Sequence, residues 1–316
     1  MTSTREVFNA MVIIGALTFI IQVSLGAIYV LNEVKTLENA SDIDLTGLPI
    51  FITIFPVVLP IPITGILLGI FLAIIYFIFS AIDLKRSIGD KRPLEDVFLY
   101  GSVTLVITFM IEFIQSLFGI ETGSLESENQ YIFILSAMYA PIAEEIGFRL
   151  SILGFISAIL LLINGDEISL KKLFKSLIHP YSIHRDSTIK TLYIFVVFQA
   201  LLFGLAHILS GGGWEIGKVT TATVAGIYLG YLFVKYGLTT SILGHGFFNI
   251  YLLGLSYLID IGNKVGNLLV SAYGLVILIY IGIVGVAYII YVVYKLIRGE
   301  YSFSIVYREV LDHGEI

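Results

Sequence analysis

Apolar residues gather into blocks of twenty or more, repeated along the chain and separated by short polar stretches. Runs of that length read as membrane spans rather than as one large dry core. They predict helices near 8–31, 63–82, 97–118, 131–163, 191–210, 217–235, 239–258 and 268–294. The fourth block is too long for one crossing. At roughly 1.5 Å per residue it would extend about 50 Å, against a hydrocarbon core of about 30 Å. It must bend near Pro141 or continue out of the membrane. The stretch 48–62 is apolar but holds Pro49, Pro56, Pro60 and Pro62, which makes it a poor helix. An ordered segment on the membrane face, packed against the bundle, is expected there. The expected fold is all-α, a polytopic membrane protein with a bundle of about eight transmembrane helices forming a single transmembrane domain over 1–316. No internal repeat and no soluble domain stand out.

Composition agrees: 57% of the 316 residues are hydrophobic and only 13% charged, too little charge to cover a soluble domain of this length. The chain has no cysteine, which removes disulfides, thiolate metal sites and a Cys nucleophile. Its net charge of −6 is spread over several short loops. Nucleic-acid binding needs a concentrated basic face and is not supported. The first apolar run is as long as a full span and no small-residue cleavage site follows, so it is expected to stay in place.

Loop charges give an orientation. With the N-terminus inside, Arg5, Lys85, Arg86, Lys91, Arg92, Lys171, Lys172, Lys175, Arg185, Lys190, Lys235, Lys295, Arg298 and Arg308 fall on the cytoplasmic side. Only Lys35, Lys218 and Lys264 fall outside, and Arg149 lies within the fourth span. The outer loop 119–130 carries Glu121, Glu126 and Glu128 and no basic residue. The positive-inside rule therefore places both termini in the cytoplasm, with the chain in the plasma membrane if the host is prokaryotic. Loop 164–190 is the longest internal connection. Within it, 168–178 has helical amphipathic spacing, which suits a helix on the inner surface or an element that docks substrate.

Ionisable groups at membrane depth are costly, by roughly 2.5–3.5 kcal/mol on insertion scales, and tend to be functional. Here they are Glu112, Glu144, Glu145, Arg149, His207 and His245, with Asn249 as a polar companion. In 139–150, Glu145 and Arg149 are four apart and can pair on one helical face, leaving Glu144 to face the bundle interior. A purely structural charge cluster would look the same. Phe203 and His207 are also four apart, so the ring can pack over the imidazole. His245 and Asn249 share one face, and the flanking Gly244 and Gly246 would admit a neighbouring backbone or a substrate strand. Taken singly, each histidine suits a packing or hydrogen-bonding role. Taken together, these groups on three helices suit one cavity. A carboxylate can act as general base, an imidazole can orient water, and a second imidazole and an amide can donate to an oxyanion.

At these positions the chain resembles the CPBP family, the CAAX proteases and bacteriocin-processing enzymes, which includes the type II CAAX prenyl endopeptidases. The family pattern is Glu-Glu-x-x-x-Arg, Phe-x-x-x-His and His-x-x-x-Asn/Asp, each in a membrane helix. Here it reads Glu144-Glu145-x-x-x-Arg149, Phe203-x-x-x-His207 and His245-x-x-x-Asn249, within roughly 131–258. The resemblance implies an intramembrane endopeptidase in which Glu144 and His207 activate water, and His245 and Asn249 form the oxyanion site. Glu145, Arg149 and Phe203 would support the site. It implies a membrane-anchored peptide or protein substrate, with a prenylated CAAX C-terminus as the family's best-known example and bacteriocin or signal-fragment processing as others.

No cofactor is expected. A zinc version would use Glu144, His207 and His245, although they do not form the HExxH arrangement. Two other classes fit some of the same residues: a proton- or ion-coupled transporter using Glu112 near Gln115, and a non-catalytic scaffold. The absent repeat counts against transport. Depth poses one difficulty for a single site. Counted from the cytoplasmic ends, His245 lies about 10 Å in and His207 about 25 Å in. For the two to meet, the fifth helix must begin well before the membrane surface or the boundaries must shift.

Overall fold

The computed structural model describes residues 4–36, 44–45, 48–52, 55–59, 63–89, 91–124, 130–164, 168–209, 213–254 and 268–299. The chain is an all-α, polytopic integral membrane protein. Its main helices are α1 (Thr4–Thr36), α2 (Gly65–Ile88), α3 (Pro93–Leu117), α4 (Gln130–Glu145), α5 (Phe155–Ile163), α6 (Leu170–Ile178), α7 (Asp186–Leu209), α8 (Gly217–Tyr236), α9 (Leu238–Phe248) and α10 (Leu268–Ile297). Glu126, Glu128, Lys264, Arg308, Pro60, Pro62 and the end of the expected span 239–258 lie outside the described residues.

All eight expected spans fall on helices. Six are long and apolar enough to cross a membrane: Glu6–Val23, Gly65–Ile88, Pro93–Leu117, Leu135–Ile163, Asp186–Leu209 and Ser271–Ile297. The other two, α8 and α9, are the innermost, with most of their residues buried. Helices enclosed by other helices need no continuous lipid-facing surface, so they can carry threonines, a serine and a histidine. Glycines bring α7 and α8 together. A Cβ on Gly204 would lie 2.4 Å from the Val219 carbonyl oxygen, and one on Gly226 would lie 3.0 Å from the Ala200 backbone. Small residues of this kind let membrane helices approach backbone to backbone.

The long fourth block is one continuous helix with a change of winding. α4 contains Pro141, a π-helical segment covers Ile146–Gly154, and α5 completes it. Pro141 has no N–H to give to the carbonyl one turn earlier, that of Ala137. The Asn249 amide donates to that carbonyl instead, at 2.8 Å. The Tyr76 hydroxyl donates to the next carbonyl, Met138, at 3.0 Å.

The proline-rich segment folds as two short antiparallel pairs, β1 (Asp44–Leu45) with β4 (Ile63–Thr64) and β2 (Leu48–Ile52) with β3 (Phe55–Leu59). Pro49 pairs with Val58 and Pro56 with Phe51. Both prolines therefore sit on the same alternate set of pairs, where a missing N–H can face away from the partner strand. β2 packs against α4 and the π-helical segment.

One end of the bundle gathers basic side chains. Arg86 pairs with buried Asp83 at 3.0 Å and Lys235 with Asp96 at 3.1 Å, while the Tyr231 and Tyr236 hydroxyls donate to the same Asp96 oxygen. α6 forms within 168–178 as expected, capped by Ser169, which accepts from the Lys172 amide. At the other end, the loop after α3 forms a short ladder with the loop before α8. Ser124 N–H donates to the Gly213 carbonyl, Glu215 N–H to Thr122 and Gly217 N–H to Glu121.

Candidate active site

The three motifs meet around the Phe203 ring and the Glu144–Glu145 pair. Glu144 and Glu145 end α4 as the winding widens, His207 lies in the last turn of α7, and His245 and Asn249 lie at the end of α9. Widened π-helical turns recur at functional sites because they re-aim neighbouring side chains.

Glu145 is fully buried and fully engaged. Its Oε1 lies 3.1 Å from Arg149 Nη1 and 2.8 Å from His245 Nδ1, and its Oε2 accepts from the Ser241 hydroxyl. The expected Glu145–Arg149 pair is therefore present, with both partners inaccessible to solvent. Breaking a buried pair on one side is costly because it strands the remaining charge. Arg149 is also held over the Phe203 ring, 4.3 Å from its centroid, a contact worth about 2 kcal/mol when desolvated.

Glu144 differs from its neighbour. Its side chain is partly exposed, its Oε2 has no hydrogen-bond partner among the described residues, and the same oxygen lies 3.7 Å from His245 Nε2. His245 thus stands between two carboxylates, held through Nδ1 by Glu145 and turned through Nε2 toward Glu144. An ionised carboxylate only accepts, so the proton of the Glu145–His245 bond is on Nδ1. In His207, Nδ1 lies 2.8 Å from the Phe203 carbonyl oxygen, which likewise places the proton on Nδ1 and the lone pair on Nε2.

Phe203 joins the groups. Its ring packs edge-on to His207 at 4.8 Å, to His245 at 5.9 Å and to Phe148 at 5.0 Å. Both imidazoles therefore contact one ring, which removes the difficulty of depth. α7 begins at Asp186 rather than at 191, so more of the helix precedes His207 than the apolar run suggested.

Gly244 and Gly246 admit side chains rather than a backbone or substrate strand. A Cβ at Gly244 would meet Leu232 at 2.3 Å and the Tyr228 hydroxyl at 3.0 Å, and one at Gly246 would meet Tyr76 at 2.9 Å. Asn249 has one amide N–H committed to Ala137. Gln115, read as a companion of Glu112, instead ties α3 to α8 through Thr220 and the Gly217 carbonyl. Sequence reasoning missed Ser241, Tyr76, Trp214 and Lys218. Ser241 was recoverable, since it precedes His245 by one helical turn on the same face. Among the described residues no three His, Asp or Glu side chains stand close enough to hold a metal ion together.

Residues 126–251 match the family model described as type II CAAX prenyl endopeptidase Rce1-like. Over those residues the chain is similar to Rce1-like type II CAAX prenyl endopeptidases. This match includes all three motifs and coincides with most of the stretch on which the resemblance was read. No curated protein and no solved structure gives a significant match. Buried Glu145, Arg149 and His245 lie within the matched residues, while buried Asp83 lies outside them.

Proposed function

We propose that the chain, acting as one transmembrane unit, is a metal-free glutamate endopeptidase that cleaves a membrane-anchored peptide, with a prenylated CAAX C-terminus as the leading substrate. The observation that carries this reading is the unequal treatment of two adjacent carboxylates. Glu145 is saturated by Arg149, His245 and Ser241, whereas Glu144 keeps an oxygen without a partner among the described residues, beside His245. A saturated carboxylate holds structure, while an uncommitted one can take a proton.

In this mechanism Glu144 removes one proton from water, and His207 Nε2 accepts a hydrogen bond from the other. The water oxygen attacks the scissile carbonyl carbon. The resulting oxyanion is met by the second N–H of Asn249 and by His245, which donates from Nε2 as imidazolium while Nδ1–H stays with Glu145. Collapse breaks the C–N bond as Glu144 returns its proton to the leaving amine.

Cleavage of a fluorogenic farnesylated CAAX peptide by detergent-purified protein tests this. Glu144→Gln should lose activity by orders of magnitude while keeping the wild-type melting behaviour, and a zinc chelator should leave the wild type unchanged. Near-normal turnover by Glu144→Gln, or loss of activity with chelator, would overturn the mechanism.

A further inference from the structure

Lys218 takes no part in that chemistry, yet it stands at the edge of the site. It is the second residue of α8, the end of a helix whose backbone dipole disfavours a cation. Its ammonium sits 3.7 Å above the Trp214 ring centroid, and the Trp214 ring is 6.3 Å from that of His207. Glu112 and Glu144 both act electrostatically on Lys218, and Lys218 acts on His207. No described residue gives the ammonium a hydrogen bond or a close ion pair. The support beneath it is firmly built. The ladder of Ser124, Glu215 and Gly217 amides fixes Trp214 and the start of α8, and a Cβ on Gly217 would lie 2.6 Å from the Glu121 carbonyl oxygen.

We infer that Lys218, seated on Trp214, is the subsite for the terminal α-carboxylate of the substrate peptide. This rests on the endopeptidase reading above. A CAAX segment has three residues beyond its prenylated Cys, so a cut beside that Cys would be made at a fixed distance from the chain end. Three extended residues span about 10 Å, a reach over which an ammonium still interacts with a carboxylate at the scissile bond. The free carboxylate then supplies the partner that no described residue gives Lys218, and the helix N-terminus adds to the attraction. Without substrate, Glu112 and Glu144 balance the charge.

The chain has a single tryptophan, Trp214, so its fluorescence reports binding at this point. The test titrates a farnesylated CAAX peptide and its C-terminal carboxamide into the Glu144→Gln protein, which holds peptide without cleaving it. The free acid should bind at least about tenfold more tightly, which is 1.4 kcal/mol. Lys218→Met and Lys218→Gln should bring the acid-to-amide ratio close to one, and Lys218→Arg should preserve it. In otherwise wild-type protein, Lys218→Met should raise KM for the acid far more than it changes kcat. Equal binding of acid and amide to protein with Lys218 intact overturns the inference, as does a preference that survives in Lys218→Met. Turnover of the peptides by the wild type with no acid preference leaves the endopeptidase reading standing and removes only the subsite. No binding of either peptide overturns both.

Discussion

The carbonyl left open by Pro141 gives Asn249 a structural duty that can be separated from a catalytic one. Asn249→Ala removes the N–H that meets Ala137 at 2.8 Å, and the helix has no amide to replace it. An unpaired buried carbonyl costs about 1–3 kcal/mol. Interhelical hydrogen bonds measured inside membranes average about 0.6 kcal/mol and reach about 1.7 kcal/mol, because the unfolded state finds other partners. Here no alternative donor exists in the helix itself, so the upper part of that range applies, and Asn249→Ala should destabilise by about 1–2 kcal/mol. Pro141→Ala restores the missing helical N–H. In that background Asn249→Ala should lose much less stability, giving a coupling of about 1 kcal/mol in a double-mutant cycle. Equilibrium unfolding in mixed micelles of wild type, both single variants and the double variant measures it. Costs that add within about 0.5 kcal/mol would refute the link between Pro141 and Asn249. Peptide cleavage by the same four proteins separates the second role. An oxyanion donor loses about 100–1000-fold in kcat in either background, whereas a purely structural Asn249 regains activity once Pro141 is replaced.

Arg149→Met should destabilise the protein by about 3–5 kcal/mol, since it leaves Glu145 charged and buried; adding Glu145→Gln should recover part of that loss in the same unfolding assay. Ser241→Ala should cost about 1.5–3 kcal/mol by removing a donor from an ionised carboxylate, and should lower kcat because Glu145 then holds His245 less firmly. At the basic end, burial, reinforced by Arg86 and Lys91, pushes the His179 imidazole down to about 4 from its ordinary 6.5. The fold keeps His179 neutral while the unfolded chain takes up a proton below about 6.5, so its effect is to lower stability as pH falls from 6.5 toward 4. Melting between pH 7.5 and 5 should therefore fall less in His179→Gln than in the wild type, and an equal fall in both would refute this assignment.

What was legible in the sequence was whatever a single helix could encode. Apolar length placed every expected span, and four-residue spacing found Glu145–Arg149 and Phe203–His207, because both pairs lie within one helix. The proline-rich stretch was correctly denied a helix, but strand pairing depends on register between two segments, which prolines alone do not specify. Gly244 and Gly246 showed that something comes close without showing what. The neighbours are Tyr228, Leu232 and Tyr76, brought from α8 and α2 by packing. The ladder that seats Trp214 is hidden for the same reason, since its two halves are far apart in sequence.

The adjacent glutamates show how far local pattern carries a chemical assignment. Spacing alone gave Glu145 to Arg149 and so made Glu144 the reactive candidate, and the structure adds contacts that the spacing did not contain. His245 lies 2.8 Å from the carboxylate read as structural and 3.7 Å from the one read as catalytic. Glu145 therefore does more than neutralise Arg149. By taking the Nδ1 proton it fixes the tautomer and orientation of the imidazole and turns Nε2 toward Glu144. Arg149, stacked on Phe203, anchors Glu145 in place, and the Phe203 ring in turn contacts both imidazoles. Under the proposed mechanism the group that looked like a separate salt bridge supports the catalytic geometry, so damage to Arg149 or Phe203 should reach the chemistry through His245.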